Sequence, residues 1–284
     1  MQAVTLLVLA GGMGSRFGGD KQLTTIGQTG KTLLHFSVLD AYDAGVRRLV
    51  LVIRPDLTAL FQTQVLPGLP ADLSVSLVSQ QLSELPAGVV MPAGRQKPWG
   101  TAHALWVARA QLTTPFIVIN ADDYYGAHAM RQLVSHFQQQ TDWAMVAYPL
   151  QQTLSLHGSV NRGICRVAGN LLQEVTECSG ITARTENDYQ GLDGQGNLLR
   201  LQADTLVSMN IWGFTPTVLA QLDTALQQFF ALKPGDRTEC YLPTVVDTAL
   251  MQGQRLWVYQ ATEPWYGMTY QADLALLAEF FTDK

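Results

Sequence analysis

Residues 5–21 read Thr5-Leu6-Leu7-Val8-Leu9-Ala10-Gly11-Gly12-Met13-Gly14-Ser15-Arg16-Phe17-Gly18-Gly19-Asp20-Lys21. The first six form an apolar run of strand length, suited to a strand buried on both faces of a sheet. Gly11, Gly12 and Gly14 then interrupt regular structure. Without a Cβ, the backbone there can turn its N–H groups around an anion. A tight strand-to-helix turn also uses glycine, but it has no need of the two cations that follow, Arg16 and Lys21. Strand, glycine loop and paired cations together predict a grip on a polyphosphate.

Two familiar phosphate motifs do not fit. The dinucleotide fingerprint Gly-x-Gly-x-x-Gly, counted from Gly12, ends on Phe17. A P-loop ending in Gly30-Lys31-Thr32 would need its first glycine where Thr25 stands. Beyond the loop, Lys31 to Gly45 reads as a helix, with Leu34, Val38 and Ala41 on one face and Gly45 suited to its end. Leu49 to Ile53 is a second apolar run, stopped by Pro55. Asp56 to Val65 predicts a short helix and Leu73 to Val78 a third strand. This alternation implies an α/β fold with a doubly wound, mostly parallel sheet and right-handed crossovers. Ligands of such sheets bind at the carboxyl ends of the strands, where the glycine loop lies.

Further along, Pro98 and Gly100 break structure, and a helix is predicted from Thr101 to Ala110. Its first N–H groups face the same crevice. Phe116 to Ile119 is a fourth strand, ending in Asn120-Ala121-Asp122-Asp123. Adjacent carboxylates there serve either as a helix N-cap and its neighbour or as hard oxygen ligands for magnesium beside a polyphosphate. Ala127 to Gln140 reads as a helix and Trp143 to Tyr148 as a strand. From about Gln151 to Ser208, short β-like runs (Ile164 to Val167, Leu171 to Val175, Leu198 to Leu201) alternate with turns, among them Leu192 to Asn197. These predict a smaller antiparallel lid or arm. Pro216 to Phe230, Glu239 to Met251 and Gln271 to Phe281 are helical in pattern, and Leu256 to Tyr259 is a short strand.

Composition narrows the partners. A net charge of −5 with no basic block argues against nucleic acid or an anionic membrane surface. The three cysteines, Cys165, Cys178 and Cys240, have no Cys-x-x-Cys spacing, which points away from zinc and disulfides and towards the reducing cytoplasm. The N-terminal apolar run lacks a preceding basic residue and ends in glycines, so it reads as a strand rather than a signal peptide. No uninterrupted apolar stretch reaches the roughly 18 residues of a membrane span.

Leu9 to Arg16 resembles, without a gap, the signature Leu-Ala-Gly-Gly-x-Gly-x-Arg of the sugar-1-phosphate nucleotidyltransferases, the NDP-sugar pyrophosphorylases. Lys21 matches their following lysine, although Asp20 replaces the usual proline. Gly100-Thr101-Ala102-His103-Ala104 resembles their second motif, and Asp122 their metal-binding aspartate. The likeness runs from about residue 5 to 275 and is strongest over 9–21 and 100–126. It implies a single Rossmann-like nucleotidyltransferase domain, with a nucleotide-binding half (1–150) and an acceptor-binding half (151–284). It implies nucleotide contacts at Leu9, Ala10, Gly11, Gly12, Gly14, Ser15, Gly100 and Thr101, with Arg95 or Gln96 as base reader. It further implies catalytic Arg16, Lys21 and Asp122, with Mg2+ on Asp122, and acceptor contacts at Gly163, Glu177 and Asn210. His103 is expected to pack near the crevice, and Asp123 to support Asp122. The implied reaction joins an NTP to a sugar 1-phosphate, releasing pyrophosphate. A phosphate nucleophile is already mostly ionised at neutral pH, so no general base is needed.

Two departures stand out. Cys178 occupies the position of a lysine that binds the acceptor phosphate, leaving Arg162 or Arg184 to supply the charge. Gly267, after Trp265-Tyr266, occupies the position of a second metal-binding aspartate, leaving Asp123 or Asp273. These departures keep open a cytidylyltransferase for a choline or polyol phosphate and a non-catalytic nucleotide or sugar-phosphate sensor. The acidic pair alone also suits a nucleotide-sugar glycosyltransferase, but the loop with Arg16 and Lys21 does not.

Overall fold

The computed structural model describes residues 2–13, 17, 19–155, 158–185, 187–268 and 271–282. The apolar run Thr5–Ala10 is strand β1, buried at every position. It pairs in parallel with β2 (Arg48–Ile53), which pairs in parallel with β3 (Ser74–Ser79); on its other side β1 pairs in parallel with β4 (Phe116–Asn120). Side chains of β1 alternate between two cores. Leu6, Val8 and Ala10 enter one, Leu7 and Leu9 the other. That period of two on a doubly buried strand is why the run carries no polar face.

Helix α1 (Leu33–Asp43) starts later than Lys31 because Thr32 forms a reciprocal cap with His35: Thr32 Oγ1 accepts from the His35 N–H, and His35 Nδ1 accepts from the Thr32 N–H at 3.1 Å. The single helix expected over 56–65 is broken. Only Thr58–Leu60 (α2) is α-helical, between a 3-10 turn at Pro55–Leu57 and a π-helical segment at Phe61–Val65, with a second 3-10 turn at Leu66–Gly68. Pro55 and Pro67 bound this stretch, and neither has an N–H for a regular ladder. Helix α3 (Thr101–Val107) is shorter than expected and passes into a 3-10 turn at Arg109–Gln111. There follow β5 (Asp123–Tyr124), α4 (Ala127–Gln139) and β6 (Trp143–Pro149).

The expected arm is antiparallel, but it continues the main sheet rather than standing apart. Its strands β7 (Val160–Ala168), β8 (Leu171–Thr185), β9 (Asp188–Asp193) and β10 (Leu198–Gln202) are longer than the short runs suggested. Strand β11 (Leu206–Phe214) runs antiparallel to β4, β6 and β7. Helices α5 (Val218–Ala231) and α6 (Leu242–Met251), strand β12 (Leu256–Gln260), strand β13 (Tyr266–Gly267) and helix α7 (Asp273–Phe281) complete the chain. The described strands form one eleven-stranded sheet ordered β10-β9-β8-β12-β6-β11-β4-β1-β2-β3, with β7 against β11 and β8, beside the small β13–β5 pair. Leu34 of α1 and Leu133 of α4 pack on one face; Leu105 of α3, Leu222 of α5 and Val246 of α6 pack on the other. A third cluster joins Phe17 of the glycine loop to Phe36, Tyr124, Met268 and Phe281, tying loop and last helix together.

Candidate active site

The carboxyl ends of β1 and β4 open into a cavity of about 800 Å³. Leu9, Ala10, Gly11 and Gly12 line it, as do Gln96, Gly100, Thr101, Lys21 and Asp122. Gly14, Ser15 and Arg16 lie outside the described residues. Gly11 lies against Gln80: a Cβ there would lie 2.5 Å from Gln80 Oε1, so a side chain would displace that carboxamide. Gly12 has no neighbour that a Cβ would meet, so its site value rests on open backbone. The second half of the chain closes the far wall with Asp236, Arg237, Glu239 and Tyr241.

Lys21 comes directly after the loop. Its ammonium pairs with the Asp122 carboxylate and donates to the Met268 carbonyl at 3.2 Å. The two residues are brought together because β1 and β4 are parallel neighbours that end at the same level.

Asp122 and Asp123 face different spaces. Asp122 lines the larger cavity, whereas Asp123 lines a second one of about 260 Å³, and Asn120 and Thr101 border both. Asp123 is buried and accepts from Asn120 Nδ2 at 2.8 Å and the Tyr125 hydroxyl at 3.2 Å. Burial, reinforced by the neighbouring Asp122 charge, pushes its carboxyl up to about 7.

The three acceptor candidates gather at the smaller cavity. Gly163 and Glu177 are cross-strand partners on β7 and β8. A Cβ at Gly163 would sit 3.0 Å from Val175 and 3.4 Å from Ser208, so the strand packs closely there. Asn210 lies in a register shift of β11 with φ +65°, in the left-handed region that non-glycine residues rarely enter. Its Nδ2 donates to Asn120 Oδ1 at 2.7 Å and its Oδ1 accepts from Trp212 Nε1 at 2.9 Å. Its amide group therefore holds Asn120 at the junction of the two cavities.

The sequence departures find physical answers. Cys178 is buried, with its sulfur against Gly191. Arg162 is its cross-strand partner and lines the smaller cavity, where Asp123 and Glu177 act on its charge. Desolvation lowers the Arg162 guanidinium to about 10, which leaves it a cation. Burial likewise raises the Glu177 carboxyl, with Arg162 opposing the shift. Arg184 instead pairs with Asp188 at 2.6 Å and lines neither cavity. Gly267 is the β partner of Asp123. A Cβ at Gly267 would collide with the Trp265 ring and lie 3.0 Å from Asp123 Oδ1, so tryptophan and Asp123 fill the space that a side chain would need. Asp273 opens α7 and lines neither cavity.

Arg95 is not placed to read a base. It is buried, its guanidinium donates to the carbonyls of Lys97, Pro98, Gly235 and Thr238, and it stacks 4.0 Å over Trp99. All of its reach is used to staple the 94–100 segment to the loop before α6. Gly100, which lines the larger cavity, also carries a backbone contact. With φ +99°, it lets the Cys240 backbone approach, and a Cβ there would lie 2.9 Å from Cys240 N. His103 packs as expected. Its Nε2 donates to the Glu84 carbonyl at 2.6 Å, which leaves Nδ1 to accept from Gln80 Nε2 at 3.2 Å, and burial lowers its pKa.

Two glutamines were missed. Gln80 follows β3 directly, lines the larger cavity and also donates to the Gly100 carbonyl at 3.3 Å. Its place at a strand's carboxyl end was the available signal. Gln22, after Lys21, is 4% exposed, lines the same cavity, and its Nε2 is a buried donor with no partner among the described residues. Such a donor calls for an acceptor from a ligand or water.

Among the described residues, no group of three or more His, Cys, Asp or Glu side chains gathers as a metal site. Magnesium does not need one, because it binds through one or two carboxylates while water and substrate phosphates fill the remaining positions. Asp122, the carboxylate of the pair that lines the larger cavity, fits that mode. No described helix is long and apolar enough to cross a membrane.

Two adjoining cavities that share Thr101, Asn120 and Tyr241, the larger one lined by a lysine–aspartate pair, suit an enzyme that brings two phosphorylated substrates together, and the fold around them is that of the nucleotidyltransferases. The chain belongs to the MobA-like NTP transferase domain family, whose sequence profile matches residues 6–187. It is a nucleotidyltransferase. The fold is shared along the whole chain by a UDP-glucose pyrophosphorylase bound to UDP-glucose (TM-score 0.62, 17% identity, 99% of each chain). It is shared also by the inositol-1-phosphate CTP transferase of T. maritima (TM-score 0.61, 14% identity, 98% of this chain and 97% of that one). A third is the CTP:phosphocholine cytidylyltransferase of Streptococcus pneumoniae (TM-score 0.62, 11% identity, 99% of each chain). No curated protein sequence matches the chain.

Proposed function

We propose that this enzyme transfers a nucleotidyl group from an NTP to a sugar 1-phosphate, giving an NDP-sugar and pyrophosphate. The observation that carries the proposal is the contact of Lys21 with Asp122 in the wall of the larger cavity, sized for a nucleotide, which adjoins the smaller polar one at Thr101, Asn120 and Tyr241. The NTP occupies the first, with its phosphates towards the glycine loop, Arg16 and the free Gln22 donor. Gln80 and Gln96 border the base. The acceptor occupies the second, its hydroxyls towards Glu177 and Asn210 and its phosphate towards Arg162 and Lys21. This arrangement divides the single domain into a nucleotide half (1–150) and an acceptor half (151–284), with the 236–241 segment crossing over to the nucleotide.

An acceptor phosphate oxygen attacks the α-phosphorus, and the bond to the bridging oxygen breaks with its electron pair leaving on pyrophosphate. The enzyme aligns the groups and offsets the growing charge. Lys21 serves both phosphates. Asp122, with Asp123 beside it, would hold Mg2+, whose charge would neutralise phosphate oxygens.

A second reading, a cytidylyltransferase acting on a choline or polyol phosphate, is favoured by one observation, the buried Cys178 where the resembling sugar enzymes carry lysine. Incubation with magnesium, pyrophosphatase, each NTP and a panel of sugar and alcohol phosphates tests both readings through phosphate release. Release with a sugar 1-phosphate supports the first, and release only with CTP and an alcohol phosphate replaces it with the second.

A further inference from the structure

Arg54 is the first residue past β2, whose Ile53 is the register partner of Ala10, so it emerges beside the start of the glycine loop. Its guanidinium makes contacts that no sequence motif anticipated. Nη1 donates to the Gly12 carbonyl at 3.1 Å, and Nη2 donates to Asp20 Oδ1 at 2.8 Å. Asp56 holds it from behind, accepting from Nε at 3.1 Å and from Nη2 at 2.9 Å. One side chain therefore grips both ends of the stretch that carries Gly14, Ser15 and Arg16. The grip at Asp20 falls on the residue immediately before Lys21.

Asp20 is also where the resembling enzymes place proline. A proline fixes its own φ near −65° through its ring. Asp20 has φ −79°, within that range, and is held through its carboxylate instead. We propose that Arg54 is a positioning residue for NTP binding: the Arg54–Asp20 pair does by charge what a proline ring would do covalently, fixing the backbone at Asp20 and aiming Lys21 at Asp122. The pair touches neither substrate. Its side chains are partly exposed, so its worth lies in geometry rather than in net stability. The inference rests on the nucleotidyl-transfer reading and adds to it the residue that shapes its phosphate site.

The test is a cycle of Arg54→Ala, Asp20→Asn and the double variant. Binding of the magnesium complexes of ATP, GTP, CTP, UTP and dTTP is measured by titration calorimetry, and acceptor KM by pyrophosphate release. Arg54→Ala should weaken the tightest-binding NTP by about 10- to 100-fold, the scale of a misplaced binding group. The acceptor KM should hold, and the melting temperature should stay near the parent value. Asp20→Asn should show the same split, and the double variant should lose no more than about threefold beyond either single, as expected of contacting partners. Asp20→Pro introduced into Arg54→Ala should recover NTP binding, a rescue that a merely stabilising ion pair does not predict. Unchanged NTP affinity in Arg54→Ala, or independent losses that multiply in the double variant, would overturn the inference while leaving nucleotidyl transfer intact. Failure of the parent enzyme to bind any of the five NTPs would overturn the transfer reading and the inference with it.

Discussion

The ammonium of Lys21 meets the carboxylate of Asp122 at the point where β1 and β4 end side by side. Each group neutralises the other while the phosphates are absent. On the proposed reading, substrate binding would exchange that partner for phosphate oxygens at Lys21 and free Asp122 for a metal. Lys21→Ala should therefore lower kcat by about 100- to 1000-fold, about 2.7–4 kcal/mol, the scale for loss of one preorganised charge stabiliser. Asp122→Asn should abolish activity or its dependence on magnesium. Steady-state kinetics with a magnesium titration check both; near-parental turnover in Lys21→Ala removes that residue from the reaction.

Gln80 lines the larger cavity and, on the proposed reading, borders the base. Its carboxamide sits between Gly11, Gly100 and His103, so replacing it frees space beside the glycine loop and removes the polar edge at the inner end of the cavity. Gln80→Leu should reduce discrimination between NTPs by about tenfold or more, since a site built to hydrogen-bond loses selectivity when that bond is removed. Ratios of kcat/KM across the NTP panel measure this. Gln96→Leu run in parallel shows which glutamine carries the preference, and an unchanged ratio for Gln80→Leu assigns it elsewhere.

Local patterns were legible. The run Thr5–Ala10, the glycines after it, Lys21 and Asp122 each sit within a few residues of a strand end, and strand ends converge in a parallel sheet. What depended on counting across a loop was not legible. Arg95 was nominated by its distance from Gly100, but residues 81–99 form a loop of their own. The strand end that does line the larger cavity lies on its other side, at Gln80. The strand lengths of the arm were underestimated because β8 alternates irregularly, with register shifts where it meets β7 and β9. Gly267 read as a missing ligand. The collision of any side chain with Trp265 gives it a packing reason, and that reason lies in a tertiary contact that no motif encodes.

Two buried histidines make stability depend on pH. Desolvation lowers the pKa of both His103 and His35 below the ordinary 6.5, so the folded state favours their neutral forms. The unfolded chain then binds more protons between each folded value and 6.5, and stability rises with pH through that window. It is fully present above about pH 6.5 and is lost as the solution is acidified through the folded values. The melting temperature should fall from pH 7 to pH 5. His103→Gln, which keeps hydrogen-bonding capacity without a titrating ring, should flatten that fall even though it lowers stability at pH 7. A parallel shift of the whole curve would place the acid sensitivity in other groups.

Arg162 lines the smaller cavity and, on the proposed reading, supplies the cation for the acceptor phosphate in place of a lysine at 178. Its guanidinium donates to Thr153 and stands 5.1 Å over the Trp265 ring, which fixes it against the cavity wall, while Glu177 and Asp123 keep its charge favourable. Arg162→Met should raise the acceptor KM by about 10- to 100-fold, the range for losing a hydrogen bond to a charged group. The NTP KM should change little, because the larger cavity does not include Arg162. Cys178→Lys should not restore the loss. The Cys178 sulfur is buried against Gly191, and a lysine there must either bury its ammonium or disrupt the β8–β9 pairing. Full recovery of acceptor KM in Arg162→Met/Cys178→Lys would show instead that residue 178 still faces the acceptor and that Arg162 only fills its place.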